Sequence, residues 1–199
     1  MHTQPTLDIA APDALDIGPD PDSGLSCFRC NHCNTYLTVQ ESRAMLSSYR
    51  YLHSKCGRSI TLDYDTTCAI DPRCVRLLTS PNAVYYTTFY HCTKNPKWEE
   101  LQEFSTAERP AVHIGTRDAA MDRYSVNLAN MGYDFFLYTL RVRTISKICR
   151  DIWFDDNSWP EDAASLPGVV RYINRYESPG SVSLLVDPAD LVITNRVEL

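Results

Sequence analysis

Two pairs of soft or borderline metal ligands stand out by spacing: Cys30-Asn-His-Cys33 and, after nineteen intervening residues, His53-Ser-Lys-Cys56, with Gly57 directly behind. Two intervening residues let each pair curl into a tight knuckle that presents two donors to one tetrahedral ion, and zinc is the expected ion. A glycine after Cys56 suits such a turn, because it permits positive φ where backbone amides wrap the thiolate. Four protein ligands close the coordination sphere and leave no position for an activated water, so the expected role of the metal is structural. Cys27-Phe-Arg-Cys30 is a competing pair, and His32 is a competing donor; both stay open at this level. Of the eight cysteines, Cys68, Cys74, Cys92 and Cys149 are scattered and carry no such spacing.

The segment around these ligands, residues 25–65, resembles a zinc ribbon or a related small zinc finger. Its short apolar runs predict a strand over 35–39 and a helix over 40–51. Ahead of it, residues 1–24 hold four prolines and the aspartates Asp8, Asp13, Asp16, Asp20 and Asp22, with no aromatic anchor, and read as a disordered acidic leader. The formal net charge of −6 belongs almost wholly to those aspartates. The remainder is close to neutral, which argues against the broad basic face of a duplex nucleic-acid binder. No run approaches the roughly 18–20 apolar residues of a membrane span, and no cationic and apolar signal segment opens the chain. The expected location is cytoplasmic, with no membrane partner.

Residues 75–199 read as a second, α+β unit. Strands are expected over 83–90, 112–114, 135–143, 168–173 and 181–186, and a one-faced helix over 98–104. A second helix is expected over 117–124 with Thr116 as its N-cap, and residues 153–162 form an acidic, tryptophan-bearing loop. Three landmarks stand on this frame. The first strand ends in Tyr90-His91-Cys92-Thr93, the second segment is His113-Ile-Gly115-Thr116 running into Ala119-Ala120, and the third is Asn174-Arg-Tyr-Glu177-Ser-Pro-Gly180-Ser-Val-Ser183.

In order and texture these landmarks resemble the ADP-ribosyltransferase superfamily. The likeness is to its small phage-type members, which carry an H-G-T strand, an H-x-G-T-x-x-A-A segment and an N-x-x-E-x-x-G-S-x-S strand. The resemblance covers residues 83–193. It implies a split β-sandwich with flanking helices and NAD, as substrate, in the cleft between two sheets. It also implies Glu177 as catalytic carboxylate, His113 at the nicotinamide end, and His91, Thr93 and Thr116 on NAD. The acceptor would be a protein or nucleic acid, reached in a host-cell cytoplasm or virion if the chain is phage-encoded. His113 stands where the family usually has a tyrosine. Arg175 stands where arginine-modifying members carry an acid or glutamine, so arginine is not implied as the acceptor. Two other functions compete: a catalytically degenerate binding or virion-associated module, and a two-histidine phosphoesterase using His91-Cys-Thr93 as one of its pairs.

Overall fold

A computed structural model describes residues 15–48, 50–98, 111–127, 134–155 and 166–199. Its architecture is α+β. The N-terminal module holds β1 (Leu25–Cys30), β2 (Tyr36–Thr38), α1 (Val39–Ser48), β3 (Arg50–Leu52), β4 (Ser59–Thr61), α2 (Leu62–Asp65) and β5 (Thr66–Cys68). β1 is the centre of an antiparallel sheet in the order β2-β1-β5, and β3 and β4 make a separate hairpin. Pairing of β1 with β5 extends the module past residue 65, to Cys68. Phe28, Leu37, Met45, Ile60 and Leu62 are buried around Cys30 and form the module's small core.

The larger unit contains α3 (Val75–Thr79), β6 (Phe89–Thr93), β7 (Val112–Ile114), α4 (Arg117–Asn127), β8 (Phe136–Val142), β9 (Ile148–Phe154), β10 (Val169–Ile173), β11 (Val182–Val186) and β12 (Leu191–Glu198). These strands form two sheets, β7-β11-β10-β9 and β12-β8-β6. β10 and β11 are buried on both faces, which is why they are largely apolar without the alternation of a half-exposed strand. A single antiparallel bridge, Tyr90 to Gly115, joins the sheets at the ends of β6 and β7. Gly115 is required there: a Cβ would run into the Ser183 hydroxyl and come within 3.2 Å of the Ala119 methyl.

Several expectations are corrected. The strand over 83–90 begins only at Phe89, because Pro81, with its fixed φ, opens a 3-10 turn over Pro81–Tyr86 that buries Ala83 and Val84. The loop over 153–162 gives up its first residues to β9, which carries Arg150 and Asp151 at its centre and so lacks an apolar signature. β12 was not read at all: as an edge strand it is exposed from Val192 onward and shows no alternation. The helix over 98–104 lies outside the described residues beyond the buried Trp98. Residues 1–14 of the leader also lie outside them, whereas 15–24 are part of the fold. Ile17 bridges Ile70, Gly18 donates to the Ile70 carbonyl at 2.7 Å, and Ile70 donates to the Asp16 carbonyl at 2.8 Å. Among the described residues, no helix is long and apolar enough to cross a membrane.

The module is docked onto the turn between β10 and β11. The Asp71 amide donates to the Gly180 carbonyl at 2.9 Å, and Arg175 donates to the Leu62 carbonyl at 2.6 Å and lies 3.4 Å from the Asp63 carboxylate. Cys27 fills a slot between Gly18 and Gly180, where an added Cβ on either glycine would come within 2.9 Å of the Cys27 sulfur.

Candidate metal centre and candidate active-site cleft

Cys30 ends β1, and the chain turns at once: Asn34 adopts φ 58° and its amide donates to the Cys30 carbonyl at 2.8 Å. The second knuckle follows β3, with Gly57 at φ 66° donating to the His53 carbonyl at 2.8 Å. The left-handed backbone expected of that glycine is therefore present. The two knuckles face each other, and donor atoms of Cys30, Cys33, His53 and Cys56 all lie within 4.8 Å of one another. The Cys30 and Cys56 sulfurs are 4.0 Å apart, close to the ~3.8 Å of two thiolates about 2.3 Å from a tetrahedral zinc. The donor set and its compactness fit that ion.

Both competing donors drop out for geometric reasons. Cys27 and Cys30 are three apart on a strand, so their side chains leave opposite faces of the sheet. His32 is occupied outside the cluster, with Nε2 2.7 Å from Asp65 and Nδ1 3.1 Å from the Arg58 guanidinium.

The sequence reading missed Glu41. Its Oε1 lies 3.3 Å from His53 Nδ1 and accepts from the Ser54 amide and hydroxyl, while its Oε2 accepts from the Thr38 amide at 2.9 Å. The Glu41 amide donates to the Thr38 hydroxyl at 3.1 Å, which completes a capping box at the start of α1. The T-x-x-E spacing was the available signal. Burial opposes the charge of Glu41, but the donors from Thr38, Ser54 and His53 outweigh it and hold its carboxyl at about 2. With Nδ1 turned to a carboxylate, His53 offers Nε2 to the cluster, the arrangement that orients histidine ligands in zinc sites. Cys33 is lowered to about 6, first by the hydrogen bond with the Thr35 hydroxyl at 3.0 Å, whereas burial raises Cys30.

A second constellation lies where the two sheets meet. His91, from β6, is buried and donates Nδ1–H to the His113 carbonyl at 2.6 Å. His113, on β7, has Nδ1 2.5 Å from the Tyr172 hydroxyl, and the two rings meet edge to face. Tyr172 stands well above the ordinary phenol range, first through burial and then through the charges of Glu177 and Asp155, and so remains a neutral phenol. Glu177 comes from the β10–β11 turn, with Oε1 3.8 Å from Arg123 Nη1 on α4. His91, His113, Tyr172, Arg123, Glu177 and Ser183 line one cleft.

Two sets of hydrogen bonds hold that turn. The Ser178 amide donates to the Asp122 carboxylate at 3.0 Å, and the buried Asn174 amide group donates to the hydroxyls of Ser181 and Ser183 at 2.8 and 2.6 Å. Free space in the cleft is about 20 Å³, room for roughly one water. Across the Ser178–Asp122 bond opens a larger cleft of about 390 Å³, walled by Ser42, Arg43 and Leu46 of α1 and by Met121 and Asp122 of α4.

The remaining sequence candidates fall elsewhere. Thr93 ends β6 and accepts from the Asn95 amide at 3.2 Å, and Thr116 caps α4 by accepting from the Ala119 amide at 3.2 Å. Neither lines the His91–Glu177 cleft. Arg171 is fully buried on backbone carbonyls, and Arg175 serves the module. Comparison with protein families, curated proteins and solved structures finds no match.

Proposed function

We propose that this chain is an NAD-dependent ADP-ribosyltransferase-like protein, transferring ADP-ribose from NAD to a macromolecular acceptor, with zinc in a structural role. The observation that carries this reading is the meeting of His91, His113 and Glu177 in one cleft at the junction of two sheets. The chemistry needs a fixed carboxylate. The bond between nicotinamide and ribose breaks with its electron pair leaving on neutral nicotinamide, and the positive ribose is stabilised by Glu177 through a ribose hydroxyl. A nucleophile of the acceptor then bonds to the ribose and releases its proton to solvent. His91, oriented by the His113 carbonyl, would take a second ribose hydroxyl, and His113, oriented by Tyr172, would meet the nicotinamide ring.

One observation favours a second reading, a catalytically degenerate binding or virion-associated module: with about 20 Å³ free, the cleft walls must part before a dinucleotide enters. Calorimetry and label transfer separate the two. The enzyme reading expects millimolar NAD to raise the melting temperature and labelled NAD to mark a component of a lysate. Glu177→Ala should abolish transfer while the thermal shift persists. An unchanged melting temperature together with no transfer sinks the enzyme and leaves the binding module.

A further inference from the structure

The turn that carries Glu177 is built on the metal module as much as on its own sheet. Arg175 donates to the Leu62 carbonyl at 2.6 Å and faces Asp63. The Tyr176 ring packs in the cluster that contains Phe28, Cys30, Cys33 and Cys56, and its hydroxyl lies 3.4 Å from the Asp63 carboxylate. Gly180, at φ 83°, accepts from the Asp71 amide and sits against the Cys27 side chain. Thus three residues flanking Glu177 spend their contacts on the module, while Ser178 and Asn174 hold the turn from the other side.

The module in turn depends on its metal. Its core is small, all three ligand cysteines belong to the cluster that includes Tyr176, and α2 follows directly on the hairpin that spans the second knuckle. A domain of this size folds with its ion and loosens without it.

We propose that metal occupancy sets the geometry of the Glu177 turn, with Arg175 and Tyr176 as the positioning residues that transmit it. Zinc at the cluster fixes the two knuckles and α2; Leu62 and Asp63 then hold Arg175 and Tyr176, and these hold Glu177 toward His91 and Arg123. For catalysis this inference rests on the reading of Glu177 given above, but its structural content stands without it.

Amide hydrogen exchange on the full chain tests it, in the zinc-loaded protein, in protein stripped with a strong chelator, and in zinc-loaded Arg175→Gln. The expected result is faster exchange at Asp71, Gly180 and Ser181 in the stripped protein, with β8 and β10 still protected. Arg175→Gln should raise exchange at the same amides by roughly tenfold, the fold-change of losing one charge-assisted hydrogen bond, while retaining its zinc. Exchange at the turn within twofold of the loaded protein, in a stripped protein whose module amides have become labile, overturns the inference. Should stripping unfold the whole chain, the loaded variant decides: unaltered turn exchange in Arg175→Gln overturns it. Failure of ADP-ribose transfer by the loaded protein would count against the enzyme reading alone, because the exchange pattern does not depend on it.

Discussion

Arg171 offers the sharpest test of how the larger unit is held together. It lies at the centre of β10 with no exposed surface, and its guanidinium makes four bonds to backbone carbonyls. Nη1 reaches Leu77 and Leu78 at 2.9 and 3.0 Å, and Nη2 reaches Cys149 and Arg150 at 3.1 and 2.9 Å. The first two are carbonyls at the end of α3, which the helix cannot satisfy itself. One side chain thus ties α3 to β9 through β10. Burial lowers the guanidinium pKa, and the four carbonyl dipoles compensate the buried charge.

Arg171→Met keeps most of the volume and removes the donors. Four carbonyls losing partners would cost ~1–3 kcal/mol each, counted separately. Release of the charge from burial offsets much of that, so the net expected loss is ~3–5 kcal/mol. For a chain of this size that corresponds to a fall of about 6–20 °C in melting temperature. Arg171→Lys, a single point charge that cannot span both carbonyl pairs, should fall between. Urea denaturation followed by tryptophan fluorescence measures both. A Met variant within ~1 kcal/mol of wild type would refute the reasoning, since it would mean the buried charge costs as much as its four bonds return.

Three further outcomes follow from the same geometry. Gly180→Ala meets the Ala69 carbonyl and Cys27, and is disfavoured at φ 83°; a loss of ~2–4 kcal/mol is expected by thermal denaturation. Glu41→Gln preserves a helix-capping amide but weakens the hold on His53, so competition with a chromophoric chelator should report zinc affinity about 10–100-fold lower. In the zinc-loaded protein Cys27, pushed up to about 12 by burial and by the charge of Asp71, should stay unalkylated from pH 6 to pH 8; peptide mapping by mass spectrometry checks it.

The parts of this molecule legible in its sequence are those set by neighbours in the chain. Each knuckle needs four consecutive residues and a positive-φ position, so Cys30, Cys33, His53, Cys56 and the role of Gly57 could all be read locally. Thr116 as a cap is equally local. Choosing Cys33 over Cys27 as the partner of Cys30 required knowing that β1 continues through Cys27 and Cys30, which fixes their opposite faces. Arg123 beside Glu177, and Arg175 on Leu62, join residues far apart in sequence through ordinary surface positions, and no local pattern marks them. β9 and β12 escaped because edge strands need only one buried face or none, so neither the largely apolar composition of β10 nor a clean alternation is imposed on them.

The slot around Cys27 has a consequence for metal loading. Before folding, Cys27, Cys30, His32, Cys33, His53 and Cys56 offer six donors for four positions, and an ion can be gripped by a wrong set. The pleat of β1 turns Cys27 away, and Gly18 and Gly180 then enclose it against a part of the chain that never touches the ion. Ligand choice is therefore edited from a distance. Under the proposed metal role, an ion that arrives before the β10–β11 turn has docked meets an ambiguity which the finished protein no longer offers, and the order of metallation and docking then decides how much chain reaches the Cys30, Cys33, His53 and Cys56 set.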